Sequence, residues 1–206
     1  MHSSARHLKP ALGRLRGWVW RRWRCLAGLA LGGALLAGVL RPGAGAEATG
    51  FSEFEIKAAW LFNFARFVEW PTNSFTNHSS PLIVGVVGKD PFGKELDKAF
   101  VGRTVRSRPF LLRRNVSEAD LATCHLVYVC SSERRKLREL LEKARGAAVL
   151  TVGEGEEFLD QGGIISFVIK DNAVRFGINV RPAQQAGLKL DANLLKVAVS
   201  VRGRYE

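Results

Sequence analysis

Cys124-His125 sets a potential nucleophile directly beside a potential base. A thiolate activated by an imidazole attacks acyl carbon, provided that both side chains converge on one point. Adjacency works against convergence. Neighbouring residues of a strand project to opposite faces, so if residues 125–130 form a strand, Cys124 and His125 diverge and the pair is not a catalytic dyad.

The other candidates for chemistry meet similar objections. Gly85-Val-Val-Gly88 and Gly153-Glu-Gly155 lack the G-x-G-x-x-G spacing and the Lys-Ser/Thr that cradle phosphates, and Glu154, Glu156 and Glu157 repel an anion at the second loop. Those acids suit the N-terminal dipole of a short helix instead. After residue 46 the chain has two histidines, His78 and His125, and two cysteines, Cys124 and Cys130, with no metal-ligand spacing between them. No catalytic, metal or cofactor residue is therefore assigned. The run Arg134-Arg135-Lys136 with Arg138 places positive charge near a helix start, against the macrodipole. It is read as a solvated face or as a contact for an acidic protein surface or anionic lipid.

The elements that would position these groups begin with residues 51–71, FSEFEIKAAWLFNFARFVEWP. Ser52 with Glu55 three residues on has capping-box spacing, and Pro71 stops the helix. At about 100° per residue Phe54, Ala58, Leu61, Ala65 and Val68 share one stripe. Ile56, Trp60, Phe64 and Phe67 form a second, leaving a polar wedge of Glu55, Asn63 and Arg66. Two apolar faces need two partners: either the helix is sandwiched in its own domain, or its second face meets another surface.

Further on, residues 82–88 read as a buried strand, 91–100 as a helix with Pro91 at its first position, and 104–112 as an edge strand interrupted by Pro109. Residues 125–130 and 147–152 are further strands around a helix at 132–145 carrying Leu137, Leu140, Leu141 and Ala144. Asp171-Asn172 separates two alternating segments as a two-residue hairpin loop does, with Gly177 marking close approach by another group. Gly187 ends a short helix after Pro182, and Asp191 caps a last one bearing Leu194, Leu195, Ala198 and Val201. This order predicts a single α/β domain: a mixed β-sheet with flanking helices and an aromatic-rich N-terminal helix.

The formal charge is +12 over 206 residues, but residues 1–46 hold eight basic side chains and no acid. Without them the charge is +4. A basic start, the apolar run CLAGLALGGALLAGVL and Ala44-Gly45-Ala46 have the layout of a secretory signal peptide. The expectation is a cleaved leader over 1–46, a domain over 47–206 and a periplasmic location, where nucleic acid is not a partner. In an extended strand Cys124 and Cys130 lie ~20 Å apart, too far to bridge each other. They are read as small buried hydrophobes, with pairing between chains as the alternative.

Several stretches together resemble the YfiR-like periplasmic regulators: Lys57-Ala58-Ala59, residues 64–71, residues 83–93 (IVGVVGKDPFG), Cys124-His125, Leu150-Thr151-Val152, Gly162-Gly163-Ile164-Ile165, Arg175-Phe176, Ile178-Asn179, residues 186–189 and Leu194-Leu195. The resemblance implies an exported regulator that is not an enzyme and carries no cofactor, dimeric in the best known member. It also implies partners: the periplasmic sensor domain of an inner-membrane diguanylate cyclase, restrained by the regulator, and an outer-membrane lipoprotein that relieves the restraint. This sequence departs from the family at Ser166 and Gly177, where Asn and Glu are expected, and at Trp60, which replaces a smaller aromatic.

Two functional expectations follow. In the first, Trp60, Phe64, Phe67 and Trp70 form an apolar face that contacts a second copy or a receptor. In the second, the protein is a small-molecule sensor serving a histidine kinase or another receptor, with a pocket involving Arg175, Gly177 and Asn179.

Overall fold

The structure, a computed structural model, describes residues 51–203; the expected leader over 1–46 lies outside them. In chain order the elements are α1 (Glu53–Phe67), β1 (Val68–Glu69), β2 (Leu82–Val87), α2 (Lys94–Phe100), the hairpin β3 (Thr104–Val105) and β4 (Arg108–Arg113), and β5 (Leu126–Val129). There follow α3 (Leu137–Ala144), β6 (Leu150–Glu154), α4 (Glu156–Asp160), the hairpin β7 (Ile165–Lys170) and β8 (Ala173–Asn179), α5 (Val180–Gln185), β9 (Lys189–Leu190), α6 (Ala192–Val197) and β10 (Ser200–Arg202).

Eight strands form one mixed sheet in the order β10-β8-β7-β6-β5-β2-β4-β3. From β4 to β7 all neighbours are parallel, whereas β3/β4 and β7/β8 are antiparallel hairpins and β10 lies parallel to β8. The parallel centre is apolar because helices cover both its faces. Along β5, Leu126 and Tyr128 enter the core beneath α1, while Val127 and Val129 enter a second core against α3. The predicted leucine stripe of α3 is buried in that second core. The α/β class, mixed sheet and flanking helices of the sequence reading are all present.

Local chemistry explains where boundaries agree and where they move. Ser52 Oγ accepts the Glu55 backbone N–H (3.1 Å) at the start of α1, as its spacing predicts. Asp171 and Asn172 adopt the left-handed φ values, 51° and 55°, that the tight β7/β8 turn needs. The expected strand at 104–112 is instead a hairpin, folded at Arg106 and Ser107 with φ of 50° and 64°. No glycine or asparagine announces that turn. α2 starts at Lys94 rather than Pro91, because Gly93 at φ 53° breaks the backbone just before it. Asp90 instead accepts the Phe92 N–H (2.8 Å) and pairs with Arg114 (2.6 Å). Residues 131–136 are a 3₁₀ segment, so the α-helical part of the expected helix at 132–145 starts at Leu137. α6 ends at Val197, and Val201 belongs to β10, a strand the sequence does not signal.

Candidate functional site

α1 crosses one face of the sheet with aromatic side chains on both flanks. On one flank Phe62 meets Phe100 of α2 (6.0 Å between centroids) and Phe110 of β4 (5.6 Å), and Phe54 meets Phe92 (5.8 Å). On the other, Phe64 packs on Phe167 (5.6 Å) and Phe176 (5.0 Å) of the β7/β8 hairpin, and Trp60 touches Phe176 edge-on (4.8 Å). Much of the second stripe thus finds its partner inside the domain. Phe64 is completely buried, while Ile56, Trp60 and Phe67 remain half-buried.

Trp70 also belongs to the core, at 9% exposure. The residue before a proline is driven out of the helical region. The backbone has turned extended by Val68, which pairs with Leu190 in the small β1/β9 sheet. Trp70 consequently leaves the helical stripe and donates Nε1–H to the His125 carbonyl (3.1 Å). Of the four residues expected on one contact face, Phe64 and Trp70 hold the core, and only Trp60 and Phe67 reach the surface.

The residues expected around a pocket share a face of β8 but enclose no cavity together. Arg175 is exposed. At Gly177 a Cβ would come within 2.5 Å of Ser200 Oγ and 3.1 Å of Leu159, so the group that approaches this glycine is β10 of the same chain. Asn179 donates to the Leu159 carbonyl (3.2 Å). α4 and β10 thus occupy the space a ligand would need.

Cys124 and His125 project to opposite sides of the sheet. Cys124 is buried against Gly85, where a Cβ would lie 2.8 Å from its Sγ. On the other side, the His125 ring stacks on Phe75 (4.4 Å, 12°). Its Nδ1 accepts the Ile83 N–H (3.0 Å), which fixes the proton on Nε2 for donation to the Ser74 carbonyl (3.0 Å). Burial pushes its pKa down, against the pull of the Ser74 carbonyl and with help from the Arg108 charge. Burial also raises the Cys124 thiol, and lifts Cys130 to about 12 with the aid of Asp90, Glu154 and Glu133. Both thiols are buried and free. Such thiols do not ionise near neutral pH, so neither is an activated nucleophile. Among the described residues no group of three or more His, Cys, Asp or Glu could hold a metal.

One polar cluster was not anticipated as such. Lys57, only 3% exposed, places Nζ 2.5 Å from Glu53 and 2.7 Å from Glu154, and the Tyr128 hydroxyl donates to the same Glu154 oxygen. Burial alone would raise the Glu154 pKa. Hydrogen bonds from Lys57 and Tyr128, with the Lys57 charge, outweigh it and hold the carboxyl below the ordinary glutamate value. The signal available in the sequence was a lysine three residues after Phe54 and four before Leu61, on the margin of the buried stripe.

Residues 54–199 match the sequence profile of the family described as YfiR/HmsC-like. The chain belongs to that family. Its members are regulatory rather than catalytic, and periplasmic in general. Among solved structures, the fold is similar to a conserved domain protein from Vibrio cholerae O1 biovar El Tor, 13% identical, with a TM-score of 0.51 over 74% of this chain and 61% of that one. An ABC domain in complex with L-Trp from Streptococcus pneumoniae is 12% identical, with a TM-score of 0.47 over 70% of this chain and 60% of that one. The chain spans about three fifths of the length of these solved chains, and likeness at this identity is one of fold alone. No curated protein matches the sequence.

Proposed function

We propose that this family member is a periplasmic regulator that restrains an inner-membrane diguanylate cyclase by binding the cyclase's periplasmic sensor domain. The observation that carries the reading is the apolar strip left around Trp60. The Val199 N–H donates to the Phe176 carbonyl (3.0 Å), and the Phe176 ring touches Trp60, so Trp60 and the exposed Val199 border one residue. Val197, Val199 and Val201, 56%, 41% and 47% exposed, continue the strip along α6 and β10. Tryptophan is among the residues that anchor binding hot spots, and the exposed valines add apolar surface around it.

Restraint requires that the regulator bind one state of the sensor domain more tightly than the other. The same reading takes the protein as a homodimer whose hold on the cyclase is relieved by an outer-membrane lipoprotein. The test is cellular cyclic di-GMP together with co-purification of the sensor domain. Loss of the protein raises cyclic di-GMP, and Trp60→Ala with Val199→Glu reproduces the rise while the domain stays folded by circular dichroism. Unchanged cyclic di-GMP after loss of the protein overturns the cyclase reading.

A further inference from the structure

Beside the end of α1 the chain leaves a cleft of ≈ 820 Å³, within the size range of small-molecule sites. Its apolar wall comes from Trp70, Phe75, Leu82 and Val105, and Arg106 and Arg108 of the β3/β4 hairpin stand at its margin. No acidic side chain lines it. The chemistry offered is an apolar wall next to positive charge.

The wall suits a chain better than a flat ring. Phe75 is covered on opposite faces, by the Arg108 guanidinium 3.7 Å from its centroid and by the His125 ring, so it offers only its edge. Trp70 is held edge-on to His125 by its indole hydrogen bond. Arg108 uses a single nitrogen, Nη1, for both the Asn77 and Ser80 carbonyls (2.6 and 3.0 Å). Its other N–H groups remain for a ligand. Arg106 donates Nη1–H to the Val68 carbonyl (3.4 Å) and reaches Glu69 with Nη2, and the Glu69 side chain, 57% exposed, can give way to a competing anion.

We propose that this cleft binds a medium-chain aliphatic carboxylate, with its carboxylate between Arg106 and Arg108 and its chain along Trp70, Leu82 and Val105. The site goes beyond the regulatory reading and does not depend on it: it lies at the β3/β4 end of the sheet, whereas the Trp60 strip borders β8 and β10 at the other. Because the residues around Phe75 tie residues 71–80 to β2 and β4, occupancy stiffens that segment.

Isothermal titration calorimetry of the protein with octanoate, below its micelle concentration, tests the assignment. Octanoate binds and raises the melting temperature, with affinity rising about fourfold per methylene from butanoate to octanoate. Arg106→Gln weakens binding at least tenfold while keeping the unliganded melting temperature. Thr76→Trp, which fills the mouth and leaves both arginines in place, abolishes it. Absence of octanoate binding overturns the proposal. So does equal binding by octanol or octyltrimethylammonium, equal binding by Arg106→Gln, or binding of anionic phospholipid vesicles that octanoate does not compete away.

Discussion

Lys57 Nζ lies 2.7 Å from Glu154 Oε1, so a buried charge on α1 is tied to the end of β6 across the face of the sheet. Removing one member of such a pair strands the other, whereas removing both costs far less. Lys57→Met therefore lowers stability by about 1–3 kcal/mol, held down because Glu154 keeps Tyr128 and some solvent. Lys57→Met/Glu154→Gln recovers part of that loss. Urea denaturation of the double-mutant cycle measures a coupling of about 1 kcal/mol or more, and strict additivity would show that the pair is idle.

The pH profile has two acid limbs of the same sign. The folded-state pKa of His125 is depressed, so its contribution is complete above the unfolded value near 6.5 and is lost as pH falls through the folded value. Glu154 is depressed as well, and its contribution fades only below the unfolded value near 4.3. Urea midpoints from pH 8 to pH 3 should thus decline in two steps. His125→Gln removes the upper step and Glu154→Gln the lower; a profile identical in both variants and the parent refutes the assignment.

Trp60 and Phe64 separate binding from folding. Phe64→Ala opens a cavity among Phe167, Phe176 and Trp60 and costs about 3–5 kcal/mol. Trp60→Ala truncates a partly buried side chain and costs less, about 2–3 kcal/mol, and on the proposed reading it also loses the receptor. Thermal melts paired with co-purification distinguish the two.

Gly153 and Gly163 clasp the Phe158 ring, which a Cβ on either residue would overlap. Gly163→Ala destabilises by about 3 kcal/mol or more, and Phe158→Leu in that background restores part of the loss. Calorimetric melting of the single and double variants checks this. Were Gly163→Ala neutral, the clasp would be wrong.

What the sequence made legible was the chemistry of neighbours. The Ser52 cap, the Asp171-Asn172 turn and the leucine stripe of α3 are settled within a few residues, and all three are present. Trp70 and Phe64 were misplaced because their surroundings are set from far away. Val68 pairs with Leu190, which bends Trp70 out of the helix, and Phe64 is covered by the β7/β8 hairpin. Gly177 did signal a close approach, but only the fold reveals that the visitor is Ser200. β10, three residues long on an edge, is too brief to leave a periodic trace.

The β1/β9 ladder joins Val68 to Leu190, and the Asp191 N–H adds a bond to the Phe67 carbonyl (2.9 Å). The greasiest rod of the domain is therefore latched by residues made more than a hundred positions later. While the chain threads out head first, that rod has emerged before its latch exists, and it must wait bare until the tail arrives. A chain cut short before Lys189 would leave the latch open for good.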